Sequence, residues 1–323
     1  MGFWKKVVAF FADDAEADEP DDAVRIFADG AKSEGARRAQ IDVVTSLSDR
    51  LGSTPRANEK VRATGMWTDL SRCLADPTPW IREATLLGLK EIANFARHDL
   101  DPALLASTVP SIVACTNDPT PAVRERASWA LASVRDVVDE ATKARIIEAL
   151  LLLTTDGDEA VRGNAIFYLG SIGAAARVHV ARIHAALGDS SAKVRAHAAL
   201  ALWIVNAGAA PRPIVDRLIA LLRTDPDADV RANAATALGR VAGDAAPEVV
   251  QVLVTAFSDP KSNVRHQAIC SIGSLGAVAA PAIGPLTAML DGSEHREAAT
   301  FGLREIATPA AFDALRARGI PFG

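Results

Sequence analysis

Asp225–Gly239 reads DPDADVRANAATALG, and Asp156–Gly170 reads DGDEAVRGNAIFYLG. The two share an Asp, an Arg six residues later, a Val before that Arg, Ala three residues after it and Leu seven after it. The phrase returns at Asp76–Arg82, Asp118–Arg124, Asp189–Arg195 and Asp259–Arg265, each time with Ile or Val before the Arg; a shortened copy, Asp291–Arg296, lacks that residue. Successive arginines lie 31 to 42 residues apart. A period of that length is the mark of a repeat array and fixes the fold class before any single motif is weighed.

The residues one before and three, seven and ten after each Arg share one face of a 3.6-residue helix. Small Ala at the third position lets a neighbouring helix come close, and Leu, Ile or Val fill the seventh and tenth. A second apolar helix precedes each Asp, as in Arg145–Leu153, Pro213–Leu222 and Val249–Phe257. The turns between them (DPTPW, DPTPA, DGDEA, DSSAK, DPDAD, DPKSN) use Asp as turn residue and helix N-cap and place Pro where a helix begins. Each unit is therefore a helical hairpin whose apolar side needs a neighbour.

The D-x(5)-R turn followed by A-x(3)-L resembles the HEAT repeat, and the versions at Asp225–Gly239 and Asp156–Gly170 resemble the HEAT-like repeat first described in phycobilisome lyases. The likeness spans about Glu59 to Ile306. It implies an all-α fold, a right-handed superhelical α-solenoid of about seven hairpins with N- and C-terminal capping helices. It also implies a hydrogen-bonded ladder of the recurring Asp and Arg between successive turns, at Asp76, Asp118, Asp156, Asp189, Asp225 and Asp259, with the shortened Asp291–Arg296 turn departing from it. The resemblance identifies an architecture and no activity.

Outside the array, 1–12 (MGFWKKVVAFFA) reads as a short amphipathic helix, either an anchor touching a membrane surface or partner, or a helix docked on the first repeat or frayed. It has neither a myristoylation pattern, since position 6 is Lys, nor the features of a secretory signal. Residues 13–22 form an acidic linker with seven acids and no base. Residues 23–58 read as an irregular helical cap, 59–306 as the array, and 307–323 as a C-terminal cap with a helix over Pro309–Arg318.

Composition excludes several classes. The net charge is −5, and without the acidic linker the rest of the chain stands at +2, which disfavours a nucleic-acid binder. Three isolated cysteines, Cys73, Cys115 and Cys270, form no disulfide framework or CxxC motif and fit a reduced, bacterial-type cytoplasmic chain. No apolar run reaches the roughly 18 residues of a membrane span. The six histidines show no metal-ligand spacing; His179 and His184, five apart, diverge by about 140° on a helix. No GxSxG elbow, P-loop or GxGxxG is present. No catalytic residue, metal or cofactor is expected, and the glycines at Gly170, Gly173, Gly273 and Gly276 read as helix-packing or helix-ending positions.

Five residues after each Arg, opposite the core positions on the wheel, come Leu87, Trp129, Phe167, Leu200, Thr236, Cys270 and Phe301. Trp203 extends that row by one turn, and Tyr168 stands at its edge. Beside it, two residues after each Arg, run Arg126, Asn164, His197, Asn233 and Gln267. In a two-helix solenoid the second helix lines the concave side, so an apolar row with a polar rim is expected to bind a protein partner. The contacts are Leu87, Trp129, Phe167, Tyr168, Leu200 and Trp203, oriented by Arg126, Asn164 and His197. The other reading makes the row ordinary core. The expected function is a non-enzymatic scaffold or adaptor. The alternatives are a chromophore-handling enzyme similar to phycobilin lyases, and a DNA glycosylase of the HEAT-like kind, for which Lys90, Arg126, Arg240 and Arg304 are the outward cations.

Overall fold

A computed structural model describes residues 67–321 apart from 69, 97–99, 207 and 293. The expected amphipathic helix, acidic linker and N-terminal cap lie outside those residues. The described chain contains fourteen α-helices and no strand; its one isolated bridge joins Ala209 to Ala242. It forms two compact units, one ending at Val161 and the other beginning at Arg162.

In the first unit a 3₁₀ turn, Arg72–Ala75, leads to α1 (Pro79–Ala96), α2 (Pro102–Ala114), α3 (Pro121–Val134) and α4 (Glu140–Leu153). Asp101 and Asp139 cap α2 and α4 by accepting from the amides of Ala103 and Thr142. Proline opens α1, α2 and α3, where its missing N–H is no loss. Helix α3 packs along α1, and α4 packs against α2. The stack therefore sets second helix on second helix and first on first.

Helix α5 (Glu159–Ser171) enters the second unit at Arg162. There follow α6 (Val180–Ala185), α7 (Ala192–Val205), α8 (Arg212–Thr224), α9 (Ala228–Val241), α10 (Ala246–Ala256), α11 (Ser262–Gly273), α12 (Ile283–Met289), α13 (Arg296–Ile306) and α14 (Pro309–Arg316). Each second helix, α7, α9, α11 and α13, packs on the next, and α14 lies against α12 and α13. The fold is an all-α solenoid.

The core is the one the period demands. The residue three after each Arg, from Thr85 to Ala299, has no exposed surface, and neither does the residue seven after, from Leu89 to Leu303. The first helices add Ile146 and Leu150 in the first unit, and Ile183, Leu187, Leu218, Val249, Leu253 and Leu286 in the second. Where a hairpin ends, Gly173 and Gly276 adopt φ of +71° and +58°, a left-handed turn that a side chain resists.

The repeated Asp has two jobs, neither of them the helix N-cap. Its Oδ1 accepts the amide two residues on, as Asp118 does from Thr120 and Asp225 from Asp227, which closes the turn. The N-cap sits two residues later, at Thr120, Ser191, Asp227 and Lys261. The same carboxylate then receives the Arg of the preceding repeat. In the first unit Arg82 reaches Asp118, and Arg124 reaches Asp156 with Nε–Oδ2 2.6 Å and Nη2–Oδ1 2.7 Å. In the second, Arg162 holds Asp189, Arg195 holds Asp225 and Arg231 holds Asp259, all through two bonds of 2.7–3.0 Å. To its own repeat the Arg gives a different bond: Nη1 donates to the backbone carbonyl of the Asp six residues back, at 2.8 Å for Arg124 and 2.9 Å for Arg231. One guanidinium thus closes its own turn and grips the next. Burial alone would raise the Asp225 carboxyl, but the bonds from Arg195 and the Asp227 amide outweigh it and hold it below the ordinary carboxylate range.

The last rung is built otherwise. Asp291 turns away to Arg318, at 2.8 and 3.0 Å. Arg265 instead donates through Nε to the ring Nε2 of His295, at 3.2 Å, and pairs through Nη2 with Glu294. His295 is buried, and its ring lies 6.1 Å from that of His266. Burial and the nearby positive charge of Arg265 push its pKa down, against the pull of Glu294.

Asp225→Ala leaves the half-buried Arg195 guanidinium without its carboxylate, and is expected to cost about 1–3 kcal/mol in a denaturant titration. Arg212→Ala, which removes an exposed pair with Asp216, is expected to cost less than about 1 kcal/mol. The His295 rung gives a pH signature. A histidine whose folded pKa lies below its unfolded value of about 6.5 contributes stability that is complete above that value and is lost as pH falls below it. Melting temperatures compared at about pH 7.5 and 5.5 should show a smaller acid-induced drop for His295→Gln than for the unmodified chain.

Candidate functional site

The second helices carry the expected row, and its residues divide by burial. Leu87 is 6% exposed and Asn164 7% exposed. Leu87 belongs to the packing of α1 along α3, and Asn164 to the interior flank of α5, so both are corrected from contact residues to packed ones. Trp129, Phe167, Tyr168, His197, Leu200, Trp203 and Arg126 are half-buried, and Phe301, at the far end of the row, is exposed.

In the first unit the row centres on Trp129. The Arg126 guanidinium lies 4.4 Å from the centre of its ring and the Lys90 ammonium 5.2 Å. Glu83 lies 3.5 Å from Arg126 Nε, and Glu91 2.6 Å from Lys90. Two cations thus stack on the indole while two acids hold them. Each cation–π contact of this half-exposed kind contributes about 0.5–1 kcal/mol. The indole N–H of Trp129 is buried and has no acceptor among the described residues. An orphaned buried donor costs about 1–3 kcal/mol.

In the second unit the Phe167 ring meets Tyr168 edge-on at 5.5 Å and His197 at 5.6 Å. Burial pushes the His197 pKa down, the Gly163 carbonyl opposes that shift, and Lys193 adds to it, so the ring presents itself neutral at neutral pH. The Arg240 guanidinium lies 5.6 Å over Trp203. Further along, Asn233 donates to the Ala196 carbonyl and Thr236 to Gln267, so these polar side chains tie one second helix to the next. Lys90 and Arg240 are stacking partners that a count of isolated cations overlooks; the signal was a cation eight or nine residues after an Arg, beside a tryptophan in the adjoining repeat.

Glycines set the spacing of this face. A Cβ on Gly170 would stand 2.4 Å from Ala201 Cβ, one on Gly239 2.8 Å from Ser271, and one on Gly273 2.9 Å from Glu305. Between α7 and α9 the corresponding position is Trp203. The face is therefore tight at α5–α7, α9–α11 and α11–α13, and carries a large ring at the remaining step.

Burial raises the Cys270 thiol, 3.6 Å from His266 Nε2, and so disfavours the thiolate a nucleophile needs. Among the described residues no group of three or more His, Cys, Asp or Glu is placed to hold a metal, and no helix is long and apolar enough to cross a membrane.

Comparison with known proteins follows the geometry. A family model for HEAT-like repeats matches residues 79–134, and one for HEAT repeats matches residues 215–304. This is a HEAT-repeat chain. The matches do not single out the phycobilisome-lyase variety of the repeat. Among solved structures, an engineered protein is similar at 20% identity with a TM-score of 0.51, over 99% of this chain and 92% of that one. A designed armadillo repeat protein is 19% identical over 64% of this chain and 98% of its own, with a TM-score of 0.45. These likenesses concern fold alone. No curated protein matches the HEAT-repeat chain.

Gly170→Val is expected to force α5 and α7 apart and to cost about 1–3 kcal/mol, read as a lowered denaturation midpoint. The same substitution at Gly157, which has nothing within 4 Å of its Cβ position, serves as the reference.

Proposed function

We propose that this HEAT-repeat chain is a non-enzymatic scaffold or adaptor that holds a protein partner on the face of its second helices. The observation that carries the reading is Trp129: a large ring, braced by Arg126 and Lys90, with a buried N–H that lacks an acceptor among the described residues. A partner carbonyl would satisfy that donor, and tryptophan is favoured as an energetic anchor. The second unit supports the same reading separately. Phe167, Tyr168, Leu200 and Trp203 are half-buried apolar groups, rimmed by His197 and Arg240. Leu87 and Asn164 are left out of the contact set because they are packed.

The cytoplasmic setting belongs to this proposal and follows from the cysteine usage alone. A cation-braced indole and a neutral imidazole suit a segment that offers backbone carbonyls and apolar side chains.

The test is capture from the native host with the full chain and with the Trp129→Ala and Trp203→Ala variants, after circular dichroism has established equal helicity. One protein retained by the unmodified chain and reduced about tenfold or more by either variant, a loss of about 1.4 kcal/mol, is the expected result. Equal capture by all three chains, or unfolding of both variants, would defeat the proposal.

A further inference from the structure

The first helices of the second unit carry a second surface of opposite character. From Ile172 to Thr224 the sequence holds seven Lys or Arg and two acids, Asp189 and Asp216, with no Glu. Both acids are already engaged: Arg162 takes Asp189, and Arg212 takes Asp216 at 2.6 Å. Arg212 is also held by Glu248, and Arg195 is spent on Asp225. Lys193 lies on the other side, beside Gly163 of α5. What remains is Arg177, Arg182, Arg217 and Arg223, all exposed and none in an ion pair with a described residue.

Their register puts them together. Arg182 stands one residue before the fully buried Ile183, with buried Leu187 four residues further on. Arg217 stands one before the fully buried Leu218, with buried Leu222 four further on. The two arginines therefore fall on the outward flank of adjacent hairpins, seven residues before Asp189 and eight before Asp225, and helices packed in such a stack lie about 8–10 Å apart. Arg217 Nη2 donates to the Leu187 carbonyl at 3.2 Å, which fixes it against the end of α6. Arg177 is tethered likewise, through Nε to the Val205 carbonyl at 3.3 Å. Two of the four guanidiniums are thus positioned in advance and keep further N–H groups for a ligand, while Arg182 and Arg223 are free to follow it.

We infer that this arginine surface docks an acidic protein segment, in an extended conformation crossing α6 and α8. Carboxylates three residues apart on an extended chain of the polyproline II kind share one edge and are separated by about 9 Å, which matches one guanidinium per hairpin. Planar arginine forks suit carboxylates, which they bind in pairs of bonds. An anionic membrane fits less well. The surface offers a single exposed aliphatic residue, Val178, where an interfacial surface presents Trp, Phe and Leu for insertion. Nucleic acid also fits less well, because four unneutralised cations on helices α6 and α8, which carry no Trp, Tyr or Phe, give little binding at physiological salt.

The probe is a fluorescein-labelled polyglutamate peptide of about twelve residues, long enough at about 3.3 Å per residue to cross both hairpins. It is titrated into the full chain by fluorescence anisotropy at about 0.02 M and about 0.3 M salt. Binding at low salt, weakened about tenfold or more in Arg182→Glu/Arg217→Glu, is the expected result. Arg316→Glu, one reversed charge on the exposed side of α14, should change it less than about twofold and controls for net charge. Trp129→Ala and Trp203→Ala should leave it intact, so failure here and failure of the scaffold reading are separate results. Circular dichroism confirms that the double variant is folded, as expected for two exposed sites. Equal affinity of the double variant and the unmodified chain would overturn the inference. So would capture of a single-stranded oligonucleotide or of phosphatidylserine vesicles at least as tight as that of polyglutamate.

Discussion

The structure depends on a guanidinium that serves two repeats at once. Arg82, Arg124, Arg195 and Arg231 each close their own turn through the carbonyl six residues back and grip the carboxylate of the following turn. The carboxylate is in turn organised by the amide two residues ahead. Neither group is isolated, so the cost of drawing both partly out of water is offset by directional bonds on several sides. The apolar rows supply most of the driving force for stacking, but they are nearly identical from repeat to repeat and would tolerate sliding. The rung distinguishes the correct spacing from a slipped one, because its Asp and Arg meet only when neighbouring turns are level.

That interaction explains what could be read from the sequence. Rows of Ala127, Ala165 and Ala198, with Leu131, Leu169 and Leu202, follow from helix periodicity, and their complete burial is the same fact seen in three dimensions. The glycines were legible for the same reason: Gly170 falls on a helix face that meets the next helix, and Gly173 falls where a helix must stop. The ladder was legible as a pairing of residue types. Its direction was not, since a ladder between successive turns can run either way, and nothing in the residue types says that each Arg reaches forward to the Asp of the following copy. The substitution of His295 and Glu294 for the final carboxylate also lay out of reach, because it depends on Asp291 turning to Arg318.

The candidate surface was only half legible, for a different physical reason. A helical wheel gives direction and cannot give cover. Leu87 and Trp129 occupy the same register position, yet Leu87 is packed while Trp129 is held half-open by cations from its own and the preceding helix. What covers a side chain depends on the neighbour's residue at the facing position, and those positions vary where the core does not. The same argument accounts for the arginines of α6 and α8. Each is unremarkable in its own helix, and they become a surface only when the hairpins anchored by Ile183 and Leu218 stand side by side.

The two-sided arginine has one more consequence. Since each of the turns at Asp118, Asp156, Asp189 and Asp225 offers an acceptor backwards and a donor forwards, excising one full period, Asp189 to Thr224, splices Gly188 to Asp225 and delivers the Asp225 carboxylate to Arg162 in place of the missing Asp189. The polar connections that survive are of the same kind as those removed, and Ala165 and Leu169 would face Ala234 and Leu238 instead of Ala198 and Leu202. A chain wired in this way can lengthen or shorten by whole modules without orphaning a ladder charge, so the extent of its surfaces is open to change while the joint between modules stays fixed.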